Sequence, residues 1–334
     1  MRVDAHNDTA LRLWDLPTIR TAPVDYRLQG QFSPQADLLR WQENFDIAFF
    51  AVYIDQEAYA GRYFAASQEL FRRLKRDLAA NSDIVRLVLR RDDVRKDPRL
   101  GVLLAIEGAE CLGDNPELLR AYFHIGVRSL GFTHNPANAL AGGCQAKGGF
   151  TEAGRRTARL ANEIGIILDG AHLNEESFWD LLGISSQPVI ISHTAAAALR
   201  PHYRNLSNEQ LRAVAANGGV VGVTFANLFL ADDADLSDYL RHLEHVAKVA
   251  GIDHVGIGSD FDGCDLPRGI NSVSDMHKVL TGLKEIGFSD LEIAKIYGEN
   301  FCRIMRKILP CDMAEWRMEN GEWRMIEVFA PQKH

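Results

Sequence analysis

Apolar residues fall in short, near-continuous runs separated by longer amphipathic stretches, and this alternation repeats eight times along the chain. The runs occupy residues 3–7, 47–53, 102–106, 127–133, 166–169, 189–192, 220–224 and 255–258. Apolar runs without polar alternation suit parallel strands covered on both faces. Between them lie helix-like stretches with start and stop signals. Asn115-Pro116 sets a cap residue before a proline at the first helical position. Ser207-Asn208-Glu209-Gln210 and Ser289-Asp290-Leu291-Glu292 have capping-box form, and Asn217-Gly218-Gly219 stops the first of these helices. Eight strands alternating with helices over 334 residues predict a closed (β/α)8 TIM barrel. Alternation alone does not distinguish that closure from an open doubly wound sheet. No low-complexity linker divides the chain, so residues 1–309 read as one barrel domain followed by a C-terminal extension, 310–334. In the extension, EWRMENGEWRMIEVF reads as a β-hairpin turning near Asn320-Gly321. Trp316 and Met318 alternate on one arm, Trp323 and Met325 on the other. Those side chains need a surface to cover, either the outside of their own barrel or a second copy in a homodimer.

Composition narrows the class. Hydrophobic content of 46% with 25% charged residues belongs to an ordinary globular protein with a sizeable core. A net charge of −8 argues against nucleic acid as partner, because phosphate binding needs a basic face. No apolar run is long enough for a membrane span, and MRVDAHNDTA has no apolar signal region. Cys111, Cys144, Cys264, Cys302 and Cys311 are scattered and lack a CxxC pair, which fits free thiols in a reducing compartment. The expectation is a cytoplasmic protein.

Seven ionisable residues share one address, the C-terminal ends of the candidate strands. His6 and Asp8 close the first, where alternation turns residues two apart to the same side. Glu107 follows the third strand, His134 the fourth, His172 the fifth, His193 the sixth and Asp260 the eighth. In a barrel these ends converge on the mouth that carries the active site. The long Gly-rich loop 134–150 follows the fourth strand at that same end. A lone histidine after a strand is more often a hydrogen-bonded loop residue than a ligand, and an aspartate there is often a helix cap. Repetition over six strand ends weakens that plainer reading. His124, His202, His242, His245, His254, His277 and His334 lack the address, and His242 with His245 reads as a solvated helix face. Three histidines (His6, His172, His193) and two carboxylates (Asp8, Glu107) suit a borderline divalent metal such as zinc. Five protein ligands suffice for two ions if one carboxylate bridges.

The motifs DAHNDT, AIEG at Glu107, SLGFTHNPANALAGG, GGFTEAG, LDGAH, PVIISHTAA, HYRN, HVGIGSDFDG and YGENFCRI run from Val3 to Arg303. In this order they resemble the renal (membrane) dipeptidase family of zinc peptidases, in the amidohydrolase superfamily. The resemblance implies that His6 and Asp8 bind one zinc, His172 and His193 the other, and that Glu107 bridges them. It implies further that His134 contacts the substrate carbonyl region, Arg204 the substrate carboxylate, and that Asp260 is the catalytic acid/base. It also implies tolerance of a D-residue at the C-terminal position of a dipeptide. Two positions depart from the pattern: Ala171 stands where a serine or similar residue is usual, and an aromatic is expected near Ala226. Both bear on the pocket more than on the chemistry.

The expected reaction is dipeptide hydrolysis by a hydroxide bridging the two metals, with the oxyanion stabilised by metals and His134 and protons carried by Asp260. A deacylase or amidase acting on N-acyl amino acids would use the same metals and Arg204. A non-catalytic binding protein has no need to keep the full ligand set, and a phosphotriester or lactone hydrolase gives Arg204 no purpose.

Overall fold

Eight parallel strands close on themselves. The computed structural model describes residues 1–21 and 34–311 and the backbone of 314–319 and 322–327. The strands are β1 (Val3–Asn7), β2 (Ile47–Tyr53), β3 (Val85–Leu87), β4 (Leu100–Glu107), β5 (Val127–Gly131), β6 (Ile167–Asp169), β7 (Ile190–Thr194), β8 (Val220–Val223) and β9 (Val255–Ile257). Their order is β2-β1-β9-β8-β7-β6-β5-β4, and β2 pairs with β4 to complete the ring. The barrel expected from the sequence is therefore the observed fold, and the open sheet is excluded. All eight expected runs are strands, the first two with the expected bounds and the others with ends displaced by no more than two residues. The short β3, in the stretch IVRLVL, was not expected; it pairs only with the first residues of β4, Val85 opposite Leu100.

The helices follow their local signals. Ser207 and Ser289 cap their helices, Asn208–Ala216 and Asp290–Ala294, each in a full capping box. Outside the ring, buried apolar residues of strands and helices form one continuous layer. Inside, Val3, Ala5, Phe49, Leu103 and Ile190 pack with Phe301 and Met305 of the helix Asn300–Ile308. That helix contacts β1, β6, β8 and β9 and closes the end of the barrel opposite the site. The fit is close: a Cβ on Gly256 would overlap the Phe301 ring. His242 corrects an expectation. It is 1% exposed rather than solvated, because Nδ1 accepts from Ala196 N (3.0 Å) and Nε2 donates to Leu230 O (3.1 Å). It thus ties the helix Leu236–Ala250 to the loops after β7 and β8.

Strands Ala314–Glu319 (β10) and Glu322–Glu327 (β11) pair antiparallel, with Glu319 opposite Glu322. Asn320, Gly321 and the side chains of Trp316, Met318, Trp323 and Met325 lie outside the described residues. Among the described residues, no helix is long and apolar enough to cross a membrane.

Candidate active site

β1 does not run as a regular strand to its end. Its register against β2 shifts between Asp4 and Asn7, and that of β7 against β8 shifts between Ile191 and Thr194. Each irregularity contains a site histidine, His6 or His193, and such bulges re-aim a side chain at a barrel mouth. Simple alternation, the sequence argument for His6 and Asp8, is therefore incomplete, although the two do converge: His6 Nε2 lies 3.9 Å from Asp8 Oδ2. Two other site residues take left-handed backbone at strand ends, His172 (φ 65°) and Asp260 (φ 64°). Such conformations cost free energy in residues other than glycine and cluster at functional sites.

The side chains meet around Glu107. Its Oε1 lies 3.0 Å from His172 Nε2, 3.5 Å from His6 Nε2 and 3.7 Å from His193 Nε2. Asp260 Oδ1 lies 3.8 Å from His6 Nε2. The Nε2 atoms of His172 and His193 are 2.8 Å apart, while their other nitrogens are engaged, His172 Nδ1 with Asn135 Oδ1 (3.1 Å) and His193 Nδ1 with Ser192 Oγ (2.9 Å). Three groups of potential metal ligands result: His6, Glu107 and His193; Glu107, His134 and His172; His6, Asp8 and Asp260. His6 Nε2 and Asp8 Oδ1 are buried without a hydrogen-bond partner.

Charge makes the same demand. Burial pushes Asp8 and Glu107 well above the usual carboxylate range, and repulsion from Asp260 adds to it in both. Burial likewise lifts Asp260 to about 7, against the pull of Arg204 and a bond from the Cys264 thiol. The imidazoles move the other way. Burial, then Arg204 and His134, lowers His6 to about 3; His172 and His193 fall well below their usual value, again through burial first. Neutral imidazoles turned onto three crowded carboxylates form a donor set that a divalent cation fits, since it takes the lone pairs and balances the charge.

His134 is half-buried, its ring 4.4 Å from His172 and 4.3 Å from Tyr53; burial, then Arg204, lowers it to about 4. Arg204 is 5% exposed, with Nε unpartnered and one long bond from Nη2 to His193 O (3.5 Å). An unsatisfied buried guanidinium is a receptor for an anion. Near Ala226, where an aromatic was expected, Phe229 stands three residues on, and Arg204 lies over its ring at 5.4 Å. Ala171, the other departure, is buried beside His172.

Behind Asp8 lies a network that no motif spacing pointed to. Asp262, also left-handed (φ 69°), accepts from Thr9 Oγ1 (2.8 Å), Arg12 Nη2 (3.2 Å) and Gln35 N (2.7 Å). Asp8 N donates to Phe261 O (2.8 Å), and Asp260 N to His6 O (3.0 Å). The loops after β1 and β9 are thereby clamped together. Gly263 completes the joint, because a Cβ there would overlap both Asp8 and Asp260. Asn135, Ser192 and Asp262 all stood within noted motifs, but their roles depend on contacts far apart in sequence.

Comparison with known proteins identifies the family and supports the fold. The family model for membrane dipeptidase (peptidase family M19) matches residues 1–314. The crystal structure of dipeptidase AC, an M19 metallo peptidase, superposes with a TM-score of 0.84 at 30% identity, covering 92% of this chain and 98% of that one. A metallo peptidase from Rhodobacter sphaeroides, liganded with a phosphinate mimic of the dipeptide L-Ala-D-Ala, gives 0.83 at 28% identity, covering 92% and 99%. Dipeptidase tcpJ of Claviceps purpurea is 29% identical over 331 residues, 91% of this chain and 76% of its own length. The chain belongs to the membrane dipeptidase family, peptidase family M19, and is a hydrolase of the metallo-dipeptidase type.

Proposed function

We propose that this metallo-dipeptidase works with two zinc ions and accepts a D-residue at the C-terminal position of its substrate. The observation that carries the binuclear reading is the position of Glu107 Oε1, within 3.0 to 3.7 Å of three imidazole nitrogens. His6 and Asp8 would hold one ion, His172 and His193 the other, and Glu107 would bridge them. When bound, the two ions supply an activated water at neutral pH and a Lewis acid for the scissile carbonyl.

The rest is done by the chain. Arg204 pairs with the substrate carboxylate, which limits substrates to short peptides with a free C-terminus. His134, lowered to about 4, is neutral at pH 7 and donates N–H to the developing oxyanion. Asp260, at about 7, exchanges its proton near neutrality; its carboxylate takes the proton of the attacking water and returns it to the leaving nitrogen. D-residue tolerance is supported by the family and by the L-Ala-D-Ala mimic bound to the Rhodobacter sphaeroides relative. The cysteines among the described residues are free, which suits a reducing compartment such as the cytoplasm.

The test is zinc reconstitution followed by elemental analysis and hydrolysis of L-L, L-D and N-acetylated dipeptides. About two equivalents of zinc, as a two-metal site requires, with cleavage of L-L and L-D dipeptides is the expected result. Full activity at one equivalent would remove the binuclear reading, and cleavage of N-acetylated substrates alone would make the chain a deacylase.

A further inference from the structure

Two cavities of unequal size meet at the candidate metal centre. The smaller, about 360 Å³, contains Arg204; the larger, about 540 Å³, lies on the Tyr53 side, and both are lined by Asp8, Glu107, His134 and Gly263. On the reading proposed above, Arg204 holds the carboxylate and so gives the dipeptide a direction. Its C-terminal residue then occupies the smaller cavity and its N-terminal residue the larger.

The larger cavity has its own chemistry. Trp14 and Tyr59 stack at 5.4 Å to form an apolar wall, facing a rim with two exposed acids, Asp15 and Asp55. Asp55 anchors its loop by accepting from Glu57 N (3.0 Å) and Ala58 N (2.6 Å), which fixes its carboxylate in place. Asp15 has no ion-pair partner among the described residues. Arg12, the cation among the described lining residues, is paired with Asp262 (3.2 Å). Arg73 lies over Trp14 at 5.3 Å, paired with Glu69 (2.7 Å), and Arg62 lies over Tyr59 at 5.8 Å; neither is part of the described lining. The floor, Asp8 and Glu107, is the part proposed above to hold the metals, so the charge selection falls to the rim. A long methylene stem suits the aromatic wall, and a positive head group suits the rim.

We propose that the larger cavity receives the side chain of the substrate's N-terminal residue and selects lysine or arginine there over aspartate or glutamate. The volume admits such side chains, and the fixed charges decide between them. Because the acids are exposed, the selection is modest and sensitive to salt.

The test compares kcat/KM of the zinc-loaded enzyme on Lys-Ala, Arg-Ala, Leu-Ala and Glu-Ala. The two cationic dipeptides should exceed Glu-Ala by about tenfold, a ratio within reach of two exposed charges that attract one substrate and repel the other. Asp15→Asn should lower the Lys-Ala to Glu-Ala ratio by about threefold, and Asp15→Lys should lower it further; raising the ionic strength should also narrow it. Equal kcat/KM on Lys-Ala and Glu-Ala would overturn the proposal, as would a ratio unmoved by Asp15→Lys. Failure to cleave any of the four would instead remove the dipeptidase reading, and this inference with it.

Discussion

Asp260 stands at the end of β9 with left-handed backbone and a carboxyl lifted to about 7, between two possible employments. Its approach to His6 and Asp8 would let it ligate a metal, whereas its readiness to exchange a proton near neutrality suits an acid/base. Asp260→Asn keeps the volume and removes the titration. Turnover should fall by about 10²–10⁴-fold, the scale of acid–base catalysis, with metal content by elemental analysis unchanged. Loss of one ion in the variant would make Asp260 a ligand instead. Arg204 poses a question of substrate class. Its guanidinium is buried with Nε unsatisfied, and on the proposed reading a substrate carboxylate would complete it. Arg204→Met should therefore lower kcat/KM on free dipeptides by about 10²-fold or more, as removal of one partner of a buried charged pair does, and do much less to amidated ones. Equal loss on both would show that Arg204 only supports the loop.

At the scale of elements, the loops after β1 and β9 are held by Asp262 and Arg12. Asp262→Ala removes three hydrogen bonds and leaves the Arg12 guanidinium without this partner in a buried site. A cost of about 3–5 kcal/mol is expected for breaking such a pair, visible as a lower urea midpoint, together with weaker metal retention because Asp8 and Asp260 lose their common support. Unchanged metal affinity in a destabilised variant would confine the clamp to folding. His242 joins a helix to two loops in its neutral form, and burial lowers its pKa. The sign follows: its contribution is complete above the ordinary histidine value of about 6.5 and drains as pH falls below it, because the unfolded chain takes the proton more readily. Urea midpoints at pH 7 and pH 5 should show the wild type losing more stability than His242→Asn. How far these elements were legible depends on range. The eight barrel strands were readable because each is a local apolar run, and the strand-end histidines and acids because the barrel makes position along a strand equivalent to position in space. The bulges at His6 and His193, the Asp262 clamp and the burial of His242 were not, since each is decided by a partner strand or loop remote in sequence. β3 escaped because three residues among arginines carry too little periodicity.

Taken as a whole molecule, the barrel surrounds a centre where Asp8, Glu107 and Asp260 repel one another until a cation arrives. Bound metal should therefore stabilise the fold, by about 4 kcal/mol when its free concentration is a thousandfold above its Kd. Dialysis against a chelator should lower the melting temperature and zinc should restore it; an unchanged melting temperature would mean that the cage tolerates its own repulsion. The closure of the ring also sets a timetable for synthesis. Thr9, beside the first ligands, is bonded to Asp262, 253 residues further on, and the helix Asn300–Ile308 that fills the barrel floor is made later still. On the ribosome, His6 and Asp8 emerge first and β1 can pair with β2, but its other edge stays open until β9 follows. A chain released before β9 carries all five proposed ligands but lacks the strand that closes the ring beside the first two, so a complete cage for metal should form only after β9 has joined β1.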